Sequence, residues 1–276
     1  MAEDKMQPQR FELKYQISEE KALAIRDYLS SQIDHLEVDE FGAELPDFSY
    51  PVHSLYLDSA HMRTYHETIN GTKNRYKLRL RYYEDRPDAP VFFEIKRRMN
   101  NIILKQRGGV RREFVSDLLA GHMPEPHQLL SKDPKHLIAV QRFCHLTSEL
   151  QATPKVHIAY MREAYLGRRD NSVRVTMDRE VHSELEPTTR LATQAVNPVK
   201  IFQRVILELK FTNRFPNWFT ELVQLFGVMQ CGAAKYVDGV NALGGPEKVA
   251  GSLAVETAEE AAHRAKQLNS APVPVA

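Results

Sequence analysis

Residues 75–83 alternate cationic and apolar side chains with period two, a pattern that suits a β-strand and not a helix. Arg75, Lys77, Arg79 and Arg81 fall on one face, and Tyr76, Leu78, Leu80 and Tyr82 on the other. A half-buried strand turns its apolar face to a core and its polar face to water. Four cations in a row on that wet face repel one another unless anions lie among them. The chain repeats the theme with mixed charge in Glu12-Leu13-Lys14, Glu94-Ile95-Lys96 and Glu208-Leu209-Lys210. In a strand, each tripeptide puts its acid and its lysine on one face and its apolar residue on the other.

Any one such pair can sit on a solvated outer face, where an exposed ion pair contributes about 0–1 kcal/mol. Three of them, together with Arg79 and Arg81, suggest a different arrangement. Ile201, Val205, Leu207, Leu209 and Phe211 would pack outward against helices, and the charged faces of several strands would converge on a wet lumen. Charges taken out of water are costly unless paired or liganded, so such a lumen calls for a charged ligand. Arg, through its forked donors, and Lys, as a point charge, suit closely spaced phosphates. Carboxylates in the same place would repel a polyanion unless they held a divalent cation that bridges to phosphate. Basic strands with interleaved Glu thus point to metal-assisted phosphoryl chemistry.

The remaining patterns predict strands at 9–17, 52–57, 74–84, 91–98, 102–107, 155–166, 173–178 and 201–211. Gly108-Gly109 is expected to break a strand that resumes at 110–114, and 181–185 and 189–191 read as short strands. Helices are expected after Ser18, after an Asp58-Ser59-Ala60 cap, and at 116–120, 134–149, 218–226 and 237–243. The two at 116–120 and 134–149 read as a lid or a flank. Strands follow one another more often than they alternate with helices, so the expected class is α+β and mainly antiparallel. Residues 1–8 are expected to be a flexible N-terminus, 9–243 a single domain, and 244–276 a mostly disordered tail with a helical turn at 257–267.

Composition excludes more than it selects. Hydrophobic content of 42% and charged content of 26% are those of an ordinary soluble domain. No run approaches the ~20 apolar residues that cross a bilayer. Met1–Lys5 lacks a signal-peptide core, so a cytoplasmic location is expected. Cys144 and Cys231 have neither ligand spacing nor a disulfide framework. His53, His61 and His66 lack a zinc pattern; His53 reads as a strand-surface residue. Gly108-Gly109 and Gly244-Gly245 lack the sequel of a Walker loop. Trp218 and its Phe neighbours read as core, and Tyr82-Tyr83 alone is thin support for nucleic-acid stacking, so no nucleic-acid partner is expected.

The ordered set Arg10-Phe11-Glu12-Leu13-Lys14-Tyr15, Ser54-Leu55-Tyr56-Leu57-Asp58, Lys77-Leu78-Arg79-Leu80-Arg81-Tyr82-Tyr83, Phe93-Glu94-Ile95-Lys96-Arg97 and Leu207-Glu208-Leu209-Lys210 resembles the VTC domain. That family is the polyphosphate polymerase branch of the triphosphate tunnel metalloenzymes, which are related to the CYTH proteins. The resemblance implies a closed, eight-stranded antiparallel tunnel barrel with flanking helices. It also implies transfer of the γ-phosphate of ATP to inorganic polyphosphate with manganese or magnesium. Carried over by position, Lys14, Arg79, Arg81, Lys96 and Glu208 form the catalytic set. The substrate cations would be Lys14, Arg79, Arg81, Lys96, Lys105, Arg162, Arg174, Lys210 and Lys235. Glu208, Glu94 and Glu12 would be the metal ligands.

Two departures qualify this. Ala234 stands where the family often has Ser before Lys235. The N-terminal motif is Glu-Leu-Lys rather than the double-Glu signature of the triphosphatases, which favours the polymerase-like branch. Arg162 either turns inward or pairs with Glu163 outside, and the face of Arg174 is polar in either case. Hydrolysis of tripolyphosphate or nucleoside triphosphate, and polyphosphate binding without turnover, stay open beside polymerisation. In eukaryotic relatives the domain works within a membrane complex, so membrane coupling here would require a partner.

Overall fold

The computed structural model describes residues 10–32, 36–100, 102–168, 172–212 and 215–251. The expected N-terminus at 1–8 and the helical turn at 257–267 lie outside the described residues. Ten strands form one antiparallel sheet: β1 (Arg10–Ile17), β2 (Leu36–Val38), β3 (Ser49–Asp58), β4 (Asn74–Tyr82), β5 (Val91–Met99), β6 (Ile102–Val110), β7 (Thr153–Gly167), β8 (Val173–Leu185), β9 (Val199–Lys200) and β10 (Val205–Thr212). Their order is β2-β7-β3-β4-β5-β6-β1-β10-β8-β9, and β7 also pairs with β8. The helices are α1 (Glu19–Ser31), α2 (Arg63–Ile69), α3 (Val115–Leu119), α4 (Pro134–Leu150), α5 (Asn217–Leu225), α6 (Lys235–Ala242) and α7 (Pro246–Ala250). The class is α+β and mainly antiparallel, as expected.

Eight strands pair in a ring, β7-β3-β4-β5-β6-β1-β10-β8 and back to β7, but hydrogen bonds do not make it the continuous barrel expected, because among the described residues β6 and β1 share only the register pair Arg10↔Ile103. Other segments occupy the edges there. Gln230 bridges Tyr15, and the Cys231 N–H donates to Lys14 O at 2.8 Å. On β6, the Leu130 N–H donates to Gly109 O at 3.0 Å. Covering an edge in this way satisfies backbone groups without another strand.

Alternation sorts the side chains into two sides. Outward residues of β1, β8 and β10, among them Tyr15, Met177, Leu207 and Leu209, pack on Ile25 and Leu29 of α1 and Phe219 and Leu222 of α5. Leu78, Leu80, Phe93 and Ile95 of β4 and β5 pack on Val140 and Phe143 of α4. These positions are buried, and truncating one such Leu to Ala typically costs about 2–5 kcal/mol. The apolar face of β10 therefore points to helices, as its sequence pattern predicts. The helices at 115–119 and 134–150 flank the sheet on this outer side.

One part of the inner side is also apolar. Ile158, Val181 and Ile206 pack there with Tyr236, Val237 and Val240 of α6. A Cβ on Gly239 would lie 2.8 Å from Ser183 Oγ, so α6 approaches β8 as closely as a glycine permits. Asp58 ties this end together. Its carboxylate accepts from the backbone N–H groups of Thr64 and Tyr65 in the first turn of α2, each at 3.0 Å, and from the Tyr236 hydroxyl at 2.6 Å. The expected Asp58 cap is thus present, and it reaches α6 as well.

Several local expectations fail for physical reasons. β6 runs through Gly108-Gly109 instead of breaking there. A Cβ at Gly108 would lie 2.4 Å from Val140 Cγ2 and 2.6 Å from His136 O, so glycine is needed for the close approach of α4 rather than for a turn. Residues 112–114 turn into a 3-10 helix instead of resuming the strand. β8 is one strand from Val173 to Leu185, its register shifted opposite Ala159/Met161 and its Glu180 at φ 50°, which marks a bulge rather than a gap. No strand forms at 189–191, where Glu186 holds the chain through the N–H and hydroxyl of Thr188. His53 is buried, not a surface residue: it stacks on Tyr82, its Nδ1 lies 3.1 Å from His157 Nε2, and burial pushes its pKa down to about 4. Beyond the expected boundary at 243, the short helix α7 buries Val249 with the α6 cluster.

Candidate functional site

The inner faces of the strands enclose a cavity of about 450 Å³. Its lining carries thirteen Lys and Arg against two carboxylates, Glu12 and Glu208. Pairing registers explain the gathering. Glu12 lies opposite Lys210, Lys14 opposite Glu208, and Lys210 opposite Arg174, so β1, β10 and β8 present one continuous charged stripe. On the facing wall Lys77 lies opposite Lys96, which lies opposite Lys105. All nine cations assigned from sequence line this one cavity.

Two buried carboxylates organise most of the charge. Glu94, 1% exposed, takes Arg79 Nε at 2.8 Å, Lys105 Nζ at 2.8 Å and Arg107 Nε at 3.6 Å. Glu208 takes Lys235 at 3.0 Å, Lys14 at 3.4 Å and Arg162 at 3.7 Å, with Lys210 closer still. Asp178 supports the second group from beneath, accepting both arms of Arg162 at 2.7 Å and Lys235 at 2.6 Å. Arg162 therefore turns inward, while Glu163 pairs outside the cavity with Arg26 and Arg179. Lys14 Nζ also donates to Ala233 O at 2.6 Å, and Lys96 reaches Glu12 at 3.0 Å.

Two other cations, Arg81 and Lys77, contact no carboxylate among the described residues. Arg81 bonds only hydroxyls, Tyr160 Oη at 2.7 Å and Ser54 Oγ at 3.3 Å, and its buried Nε has no partner. Burial lowers the Lys77 pKa to about 7, with Lys96, Lys14, Arg75 and Arg79 adding to the effect and the Asp238 carboxylate acting on it only weakly. Burial also lowers Lys105 to about 7 and Lys210 to about 8, against the pull of Glu94 and Glu208 respectively. Glu208, despite burial, is held well below the usual carboxylate range by Lys210, Lys235 and Lys14. Such a cavity has excess positive charge that it ionises reluctantly, and a bound polyanion would raise those lysine pKa values. Binding should then take up protons, so affinity for tripolyphosphate is expected to fall as pH rises from about 7 to 9, although the ligand itself becomes more negative. Titration calorimetry across that range checks this. Lys77→Met should flatten the dependence, and unchanged affinity in the wild type contradicts it.

The VTC domain family matches residues 9–244, a span that takes in every element of the cavity. The chain belongs to the VTC domain family. Among curated proteins none matches it. Solved structures similar to this VTC domain include a candidate adenylate cyclase from Bacillus halodurans, with 14% identity, 83% of this chain and 95% of that one covered, and a TM-score of 0.45. Another is a protein from Pyrococcus horikoshii, with 13% identity, coverage of 83% and 96%, and a TM-score of 0.44. At those values neither carries an argument about chemistry.

Of the three carboxylates expected to hold a metal, Glu12 and Glu208 line the cavity of this VTC domain, whereas Glu94, on the same inner face, is covered by Arg79, Lys105 and Arg107. No three His, Cys, Asp or Glu side chains converge as a metal cage among the described residues. Ala234 gives its N–H to Asp238 Oδ2 at 2.6 Å, and Lys235 follows as the first residue of α6. Several contributors were not assigned from sequence: Asp178, Tyr160, Arg107 and Asp39. The first three share the period-two faces of Arg174, Arg162 and Lys105, a signal present in the sequence. Asp39 pairs with Arg174 at 2.8 Å from a distant loop, which no local pattern announces.

Proposed function

We propose that this VTC domain is a metal-dependent phosphotransferase that takes the terminal phosphoryl group of ATP and builds or extends inorganic polyphosphate in the cationic cavity. One observation carries the reading: the lining holds thirteen cations against two carboxylates, with a buried Arg81 Nε that has no partner and a Lys77 ammonium whose charged form is disfavoured by burial and by the cations around it. A triphosphate would supply the missing negative charge and accept from Arg and Lys at closely spaced points. In the transfer, the bond from the γ-phosphorus to the ADP oxygen breaks as a bond to the terminal phosphate of the acceptor chain forms, and ADP leaves. No protein nucleophile is needed, so the work of the protein is positioning and charge neutralisation. Lys14, Arg79, Arg81, Lys96 and Glu208 are assigned to the reacting phosphates, and Lys105, Arg162, Arg174, Lys210 and Lys235 to the rest of the polyanion.

The donors fit a hard cation in one way only. One or two carboxylates, with substrate phosphates completing the shell, is the usual mode for magnesium and close relatives. Glu208 and Glu12 would hold it, and it would neutralise charge on phosphoryl oxygens; Glu94 would instead keep Arg79 and Lys105 in place. In this reading the sheet acts as a tunnel wall, its β6–β1 seam lined by residues 230–234. Among the described residues no helix is long and apolar enough to cross a membrane, so coupling to a membrane would again need a partner.

Incubation with ATP and manganese should yield ADP and long-chain polyphosphate, resolved by gel electrophoresis and polyphosphatase digestion. Orthophosphate released from tripolyphosphate without chain extension would replace this reading with a hydrolytic one. Tight binding with no product at all would leave a polyphosphate-binding module.

A further inference from the structure

Four aromatic rings, Tyr50, Tyr83, Phe41 and Phe92, meet beside the cavity. Tyr50 and Tyr83 line the cavity. Phe41 stacks on Tyr83, with centroids 5.0 Å apart and planes at 17°, and tilts against Tyr50 at 5.4 Å. Phe92 meets Tyr83 edge-on at 6.2 Å, and the Arg107 guanidinium lies 3.5 Å above the Phe92 ring. Phe41 remains 47% exposed. A lone exposed Phe is ordinary on a protein surface. Here the ring extends a stack that begins on the cavity wall.

A single buried carboxylate ties this stack to the anion site. Asp39 Oδ2 accepts from Arg174 Nη2 at 2.8 Å, and Asp39 Oδ1 accepts from the Phe41 backbone N–H at 3.1 Å. Arg174 donates to Tyr50 Oη as well, at 3.4 Å, while its Nε is buried without a partner. The loop that carries Phe41 is closely folded: a Cβ on Gly42 would lie 2.3 Å from Phe48 O. The aromatic platform and a cavity cation are therefore held at a fixed relation to each other.

We propose that Phe41 and Tyr83 form a stacking platform for the nucleobase of a nucleoside triphosphate whose phosphates begin at Arg174. This rests on the reading of the cavity as a triphosphate site and adds the end at which the nucleoside sits. Stacking is tolerant of base identity, so purine nucleotides generally should bind, adenine without special preference. The site would then distinguish a nucleotide donor from an inorganic phosphate chain by ring contact, not by charge.

Calorimetric titration of the full chain with ATP and, separately, with inorganic tripolyphosphate tests this. Phe41→Ala should weaken ATP binding about tenfold, leave tripolyphosphate within about twofold, and be rescued by Phe41→Trp. Unchanged ATP affinity in Phe41→Ala, or equal losses for the two ligands, would overturn the platform while leaving the phosphate site standing. Wild-type protein that binds neither ligand would overturn both.

Discussion

Arg81→Ala should weaken the binding of tripolyphosphate and ATP by about 100-fold or more and leave the melting temperature unchanged or raised. Two charge-assisted hydrogen bonds to phosphate, at about 1.5–3 kcal/mol each, account for the loss. Stability is spared because Arg81 contacts no carboxylate: its partners are Tyr160 Oη and Ser54 Oγ, its Nε has none, and Glu94 acts on it only from a distance. Removing it deletes a buried cation that Arg79 repels and no carboxylate contacts, which offsets the two lost hydroxyl bonds. Its neighbour two residues away should behave in the opposite way. Arg79 holds the buried Glu94 through Nε at 2.8 Å and Nη2 at 2.6 Å. Arg79→Ala would leave that carboxylate to Lys105 and Arg107, with a stability loss of about 3–5 kcal/mol. Calorimetry and thermal unfolding on the two variants make the comparison. An Arg81→Ala protein that unfolds easily yet binds normally would reduce the arginine to a structural residue.

Glu208→Gln is expected to separate binding from turnover. Its carboxylate lies among Lys14, Lys210, Lys235 and Arg162, so neutralising it raises the net positive charge of the site. Without a polyanion those cations then repel one another, and the free protein should lose about 3–5 kcal/mol of stability. Tripolyphosphate should bind as tightly as to the wild type or more so, and restore most of the lost melting temperature by mass action. Turnover of ATP should nevertheless fall by about 100-fold or more, because the carboxylate assigned to the metal is gone. Retained turnover would remove Glu208 from the chemistry. A parallel loss of turnover and phosphate affinity would make it a structural counter-ion only.

The contrast between Arg79 and Arg81 marks where the sequence stops being readable. Period two places both on the charged face, as it does Lys14, Lys96, Glu208 and Lys210, because alternation follows from backbone geometry alone. Which cation meets which acid depends on register between strands distant in sequence. Arg79 lies opposite Glu94 and Arg81 opposite Phe92, a difference that no single strand contains. The same limit explains Glu94: its place in Glu94-Ile95-Lys96 resembles that of Glu208, yet Arg79, Lys105 and Arg107 cover it. Gly108 failed as a turn signal because its cause, the approach of α4 to within a methyl group, is tertiary. His53 failed because its partner His157 arrives from β7. Asp39 and Phe41, on the loop before β3, gain meaning only when that loop meets Arg174 and Tyr83.

A crystal structure of the protein grown with tripolyphosphate tests the central claim most directly. Phosphate groups should lie on the inner face of the sheet, within hydrogen-bonding reach of Arg81 Nε, Arg174 Nε and Lys77 Nζ, with Lys14, Arg162 and Lys235 around them. Density for the anion only on the outer surface, with Arg81 still bonded solely to Tyr160 and Ser54, would contradict it.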